Sequence, residues 1–132
     1  MTSTRSALEY CVIRVVPDIE RAEFLNVGVI VICRARRFLG ARIHLDQDRL
    51  RAFWPDISED SVEMIAQHLA QIPLICDGNP AGGPIATLGL GERWHWLTAA
   101  SSTIVQPGPV HTGLTDDAAA ELDRLFERLV SR

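Results

Sequence analysis

Tyr10-Cys11-Val12-Ile13-Arg14-Val15-Val16, stopped by Pro17-Asp18, and then Arg21-Ala22-Glu23-Phe24-Leu25-Asn26-Val27-Gly28-Val29, running on to Cys33, decide the fold. Residues 10–16 read as a strand that ends where proline removes a ladder donor. After a polar turn, residues 27–34 are rich in β-branched side chains and read as a second strand. Both strands are apolar on both faces, which places them centrally in a sheet or under a cover. Arg34 to Arg37 reads as a hairpin tip. Residues 38–45 alternate Leu39, Ala41, Ile43 and Leu45 with Phe38, Gly40, Arg42 and His44, the period of a half-buried third strand.

Helices follow. Asp46 is positioned to cap a short helix carrying Leu50, Phe53 and Trp54, which ends before Pro55. Ser58 or Asp60 caps the next, whose stripe of Val62, Ile65, Ala66, Leu69 and Ile72 precedes Pro73. Residues 77–84 are a turn-rich loop, and residues 89–97 are ambiguous between helix and turn. Residues 102–106 suggest a fourth strand, closed by Pro107-Gly108-Pro109. His111-Thr112-Gly113 reads as a turn, and Thr115 as the N-cap of a last helix with Leu122, Leu125, Phe126, Leu129 and Val130 on one face. The expectation is a single α+β domain over 1–132, with 1–8 flexible: an antiparallel three- to four-stranded sheet with helices packed mainly on one face.

Composition narrows the function classes. A chain of 132 residues, 47% hydrophobic and 23% charged, is long enough to bury an ordinary core. The opening MTSTRSALEY is too polar for a secretion signal, and the longest apolar run is far short of a membrane span. Cys11, Cys33 and Cys76 are odd in number, contain no C-x-x-C pair and read as reduced structural thiols, which favours the cytoplasm. The net charge of −4 argues against a general nucleic-acid coat. Residues 34–51 nevertheless hold six arginines against two aspartates, leaving −8 on the rest.

Three groups of residues carry candidate chemistry. Arg14 shares a strand face with Tyr10, Val12 and Val16, so it needs a partner. In one reading Asp18 or Glu23 pairs with it; in the other, Arg14 and Arg42 are anion-binding forks, Glu23 orients them and Asn26 binds ligand. Gly28 marks a bulge or a close approach. Arg34, Arg36 and Arg37 form a solvated tip or a surface for an acidic partner, a nucleotide phosphate or RNA. Ser101, Ser102 and Thr103 with His111 and Asp116 or Asp117 invite comparison with a catalytic triad. However, no G-x-S-x-G elbow is present and both aspartates suit a helix N-terminus. The four histidines are scattered without metal-ligand spacing, and Gly89-Leu90-Gly91 lacks the rest of a phosphate loop, so no metal or cofactor is expected.

The segments Tyr10–Asp18, Arg21–Val29 and Ser102–His111, with Thr115-Asp116-Asp117 and the terminal helix, resemble the short bacterial proteins catalogued as domain of unknown function number thirty-thirty-seven. The likeness covers nearly the whole chain and implies no established activity. It implies a partner role beside a kinase-like protein. The residues themselves favour a non-catalytic binding or interaction module using Arg14, Glu23, Asn26, Arg42, His111 and the 34–37 hairpin. A homodimer through the second apolar faces of the first two strands is a further expectation. The alternative is a small enzyme acting on a phosphorylated or nucleotide substrate, with Arg14 and Arg42 on phosphate and Glu23 or His111 as acid or base.

Overall fold

The structure, a computed structural model, describes residues 5–101 and 103–131. Strands β1 (Ser6–Val15), β2 (Leu25–Cys33) and β3 (Phe38–Ile43) form an antiparallel meander. Helices α1 (Gln47–Phe53), α2 (Glu59–Cys76) and α3 (Leu90–Thr98) follow. Two short strands, β4 (Val105–Pro107) and β5 (His111–Thr115), then pair in turn with the C-terminal and N-terminal halves of β1, and α4 (Ala118–Leu129) closes the chain. The sheet is therefore five-stranded and antiparallel, with order β3-β2-β1-β4 and β5 beside β4 on β1. The β1 strand already begins at Ser6, inside the stretch expected to be flexible.

Both faces of the sheet are covered. On one, Cys11, Ile13, Val15, Ile30 and Ile32 meet Leu50 of α1, Val62, Ile65, Leu69 and Ile72 of α2, and Trp94 and Leu97 of α3. On the other, Leu8, Val29, Val31 and Cys33 meet Ala118, Leu122, Leu125 and Phe126 of α4. The doubly apolar strands read from sequence are thus explained: three helices take one face and α4 takes the other. Burying each large apolar side chain of α4 contributes about 1.5–3 kcal/mol. Gly40 lets α4 lie close, because a Cβ there would stand 3.2 Å from Leu122 Cδ2 and 2.7 Å from Phe38 Cζ.

Several local readings shift. Pro73 lies inside α2, which runs one further turn to Cys76. That end is held by Arg93, whose Nη1 donates to Ile75 O at 3.0 Å and Cys76 O at 2.8 Å while its Nε donates to Leu88 O. A cation on the last carbonyls of a helix is favourable for both hydrogen bonding and dipole. Residues 111–115 are a strand, and the cap of α4 is Asp117, which accepts from Ala120 N; Thr115 instead accepts from Asp117 N. Sequence patterning underestimated this strand because its outer residues are exposed and its centre is a glycine. Ser58 caps α2 and Asp46 caps α1 as expected.

The decisive irregularity is in β2. Ile13 pairs with Gly28 but Arg14 pairs with Asn26, so Val27 is an extra residue, a β-bulge. Leu25 and Val27 point to the α1–α3 face, whereas Val29, Val31 and Cys33 point to α4. Gly28 turns towards the same side as Val27, and a Cβ on it would lie 2.3 Å from Ile43 Cδ1 and 3.1 Å from Arg42 O. Two side chains cannot share that space, so only glycine fits.

Gly28→Ala is expected to lower stability by about 1–3 kcal/mol through overpacking, read as a fall in the urea midpoint. Adding Ile43→Val, which deletes the clashing methyl, should return part of the loss; an undiminished midpoint in Gly28→Ala would refute the bulge packing. The three cysteines are free and buried, and burial pushes the Cys11 and Cys76 thiols up to about 12 from 9.0. Unfolded thiols ionise near 9.0 and folded ones only near 12. Their contribution to stability is therefore intact below pH 9 and lost progressively between 9 and 12. The stability–pH slope in that window should flatten in the Cys11→Ala, Cys76→Ala double variant.

Candidate binding surface

The bulge gathers a polar group at one end of the α4 face. Because it reverses the side-chain alternation, Asn26 emerges on the same side as Arg14, its cross-strand partner. Asn26 Nδ2 donates to Leu129 O at 3.1 Å, closing the C-terminal end of α4. Gln106, the β4 partner of Arg14, completes a row of three polar side chains across neighbouring strands. The Arg14 guanidinium carbon lies 4.2 Å from the centre of the Phe24 ring, a cation–π stack.

Arg14 has no carboxylate partner among the described residues. Asp18 Oδ1 is used by Glu20 N in the turn that follows β1. Glu23 is bound to Arg21 at 2.5 Å, and this hydrogen bond raises the pKa of Arg21 above its ordinary value. Glu23 turns into a cleft with Pro17, Asp18, Arg21, Phe53, Trp54 and Asp56, while its neighbour Phe24 turns to Arg14. The expected Arg14–carboxylate pair is therefore not formed, and Glu23 does not orient Arg14. Moreover, Arg14 Nε and Asn26 Oδ1 are both buried without a hydrogen-bond partner. Leaving such groups unsatisfied costs about 1–3 kcal/mol each.

The other candidates are engaged or elsewhere. Arg42 stacks on Phe126 at 4.1 Å, with Asp123 at 3.1 Å and Glu127 at 3.9 Å, so it ties β3 to α4. Arg34 pairs with Glu9, and Arg36 reaches Ser6 Oγ at 3.2 Å. Arg37 closes the hairpin at a left-handed φ of 52°. This tip lies at the opposite end of β1 and β2 from Arg14. His111 pairs with Tyr10, their ring centroids 5.2 Å apart. Tyr10 and Arg14 are four residues apart on β1, about 13 Å along a strand. Arg14, Glu23, Arg42 and His111 therefore do not converge in one pocket. Of the triad candidates, Ser101 Oγ bonds to Thr103, Asp117 caps α4, and Ser102 lies outside the described residues.

Two features escaped the sequence. Phe24 as the stacking base of Arg14 was hidden because its orientation follows from the turn before β2. A shallow apolar groove between α2, α3 and β4 presents Met64, His68 and Trp96, with Met64 65% and Trp96 52% exposed. The Trp94–Trp96 spacing was its only signal: Trp94 is buried and Trp96 faces out.

No group of three or more His, Cys, Asp or Glu among the described residues is arranged to hold a metal ion, and no helix is long and apolar enough to cross a membrane. No curated protein and no solved structure matches the chain. A family model described as protein of unknown function (DUF3037) matches residues 10–130, the stretch from mid-β1 through α4, and the chain belongs to that family.

Proposed function

We propose that this chain is a non-catalytic recognition module that accepts a carboxylate or phosphate of a protein partner on the Arg14 guanidinium. The observation that carries this reading is that a half-buried arginine has no carboxylate partner among the described residues, while Arg21, Arg34, Arg42 and Arg51 all have carboxylates. A planar guanidinium held against an aromatic ring has little rotamer freedom left to lose, and an incoming anion adds charge-assisted hydrogen bonds. Asn26 is a positioning residue here: it anchors the end of α4 beside Arg14.

The surroundings favour a protein over a small substrate. Arg14 lies outside the α2–α3–β4 groove and the cleft at Glu23, and its stacking partner Phe24 is 45% exposed. An aromatic ring and an arginine on an open surface match interface composition, whereas small ligands need concavity. The kinase-like protein implied by the family resemblance is the first candidate partner. The small-enzyme reading needs an acid or base beside Arg14, and the two residues expected in that role, Glu23 and His111, are directed elsewhere.

Affinity capture from native cells should recover a stoichiometric partner with the wild-type chain, released by raised salt and lost with Arg14→Met. Equal recovery by both proteins, or no stoichiometric partner with either, would overturn the proposal. In parallel, Arg14→Met should unfold at the same or a higher urea concentration than wild type, because it removes an unsatisfied Nε and orphans no carboxylate. A loss of about 3–5 kcal/mol would instead identify Arg14 as half of a structural ion pair.

A further inference from the structure

The outer edge of the sheet on the β4–β5 side differs along its length. Residues 105–115 run antiparallel to β1 as two short strands with Gly108-Pro109-Val110 between them. The β4 half carries Pro107 and is followed by Pro109, residues that discourage further pairing. The β5 half, His111-Thr112-Gly113-Leu114-Thr115, has no proline, lysine, arginine or acid. Its Leu114 is 63% exposed, and Val110 just before it is 42% exposed.

The backbone direction of this edge follows from hydrogen bonds nearby. Val16 N donates to Ile104 O and Gly108 N donates to Val12 O, both at 2.7 Å. Even-numbered residues of β1 therefore aim their peptide groups at β4 and β5. Their partners His111, Gly113 and Thr115 are bonded inward, so Thr112 and Leu114 present their N–H and C=O groups outward. On the face that carries Leu114, the sheet has a hollow of about 390 Å³ lined by Ala7, Leu8, Glu9, Arg34, Ala35 and Thr112.

We propose that β5 is the seam of a two-fold homodimer, pairing antiparallel with β5 of a second copy about Gly113. In this register Thr112 and Leu114 of one protomer exchange hydrogen bonds with Leu114 and Thr112 of the other. Cross-strand partners share a face of the sheet, so each exposed Leu114 stands against the Thr112 wall of the other copy's hollow. Leu114 and Thr112 each lie one residue from the axis at Gly113, which is the self-complementarity that a two-fold contact requires. Charge fits as well. Val105–Thr115 contains no Asp, Glu, Lys or Arg in a chain of net charge −4, and the ionic groups at the hollow, Glu9 and Arg34, are already paired with each other. The two copies therefore meet without like-charge repulsion at the seam. The apolar second faces of β1 and β2 have no part in this contact, because α4 covers them.

The test is the mass in solution across a hundredfold dilution series, by light scattering or sedimentation. The wild-type chain should be dimeric at the concentrated end and dissociate on dilution. Leu114→Lys removes the knob, and Thr112→Pro removes an outward N–H that β1 does not use. Each should weaken the dimer at least tenfold with unchanged far-UV circular dichroism and melting temperature. Gly113→Cys maps the axis: a Cβ at this position meets only Leu8, at 3.6 Å or beyond. Two such residues face each other across a non-hydrogen-bonded pair, within disulfide reach. Mild oxidation should link that variant into a dimer, while the wild-type chain, whose thiols are buried, stays unlinked. A wild-type monomer at every concentration overturns the proposal, as does a dimer that withstands both edge variants or a Gly113→Cys variant that does not cross-link. Capture of a different protein's strand by a monomeric chain would also overturn it. Arg14→Met should leave the dimer intact, which separates this contact from the proposed partner surface.

Discussion

One extra residue in β2 sets the relation between the core and the polar surface. With Val27 bulged, the alternation that sends Val29, Val31 and Cys33 to α4 reverses, and Asn26 takes the α4 face in place of Val27. A regular strand would bury Asn26 against α1–α3 and expose a valine beside Arg14. The bulge is tolerated because residue 28 is glycine, the only side chain that leaves Ile43 its place. From there the order propagates. Asn26 closes the end of α4, α4 covers β2, and β2 becomes a strand buried on both sides at the centre of the molecule.

The distribution of arginines follows from this architecture. Arg42 and Arg93 are structural: one stacks on Phe126 within reach of two acids of α4, the other closes the end of α2. The pairs of Arg42, Arg21 and Arg51 are substantially exposed and contribute little individually to stability. Arg14 differs from them, because it is shielded by Phe24 and has no carboxylate partner among the described residues. A half-buried cation with no carboxylate among the described residues opposes stability, and that cost is the physical basis for reading the position as a binding group.

The sheet edges show a second contrast. Proline guards the β4 end, and the β5 end carries none of the usual protections. The five residues of β5 look like a connecting turn in one dimension, since four of them are polar or glycine and the strand is short. Only its pairing with Ser6–Tyr10 gives it regular structure. Met64 and Trp96 behave similarly, because residues 32 apart in the chain meet only when α2 and α3 pack side by side.

The sequence alone determined the α+β class, the first three strands, the caps of α1 and α2 and the terminal amphipathic helix, though not the strand order. These depend on side-chain periods of two and 3.6 and on local capping, all short-range. It also singled out Arg14, Asn26 and Gly28: an arginine among apolar strand neighbours, an asparagine in the turn before the second strand, and a glycine at that strand's start, where a bulge or a close approach is marked. Tertiary structure decided what the violations mean. Whether Arg14 meets Glu23 or Phe24 depends on which way residues 23 and 24 point as the chain enters β2. Whether Asn26 reaches α4 depends on the bulge in β2, and the carbonyl that it binds, that of Leu129, lies 103 residues further along the chain. Such contacts are set by long-range packing, and no local period encodes them.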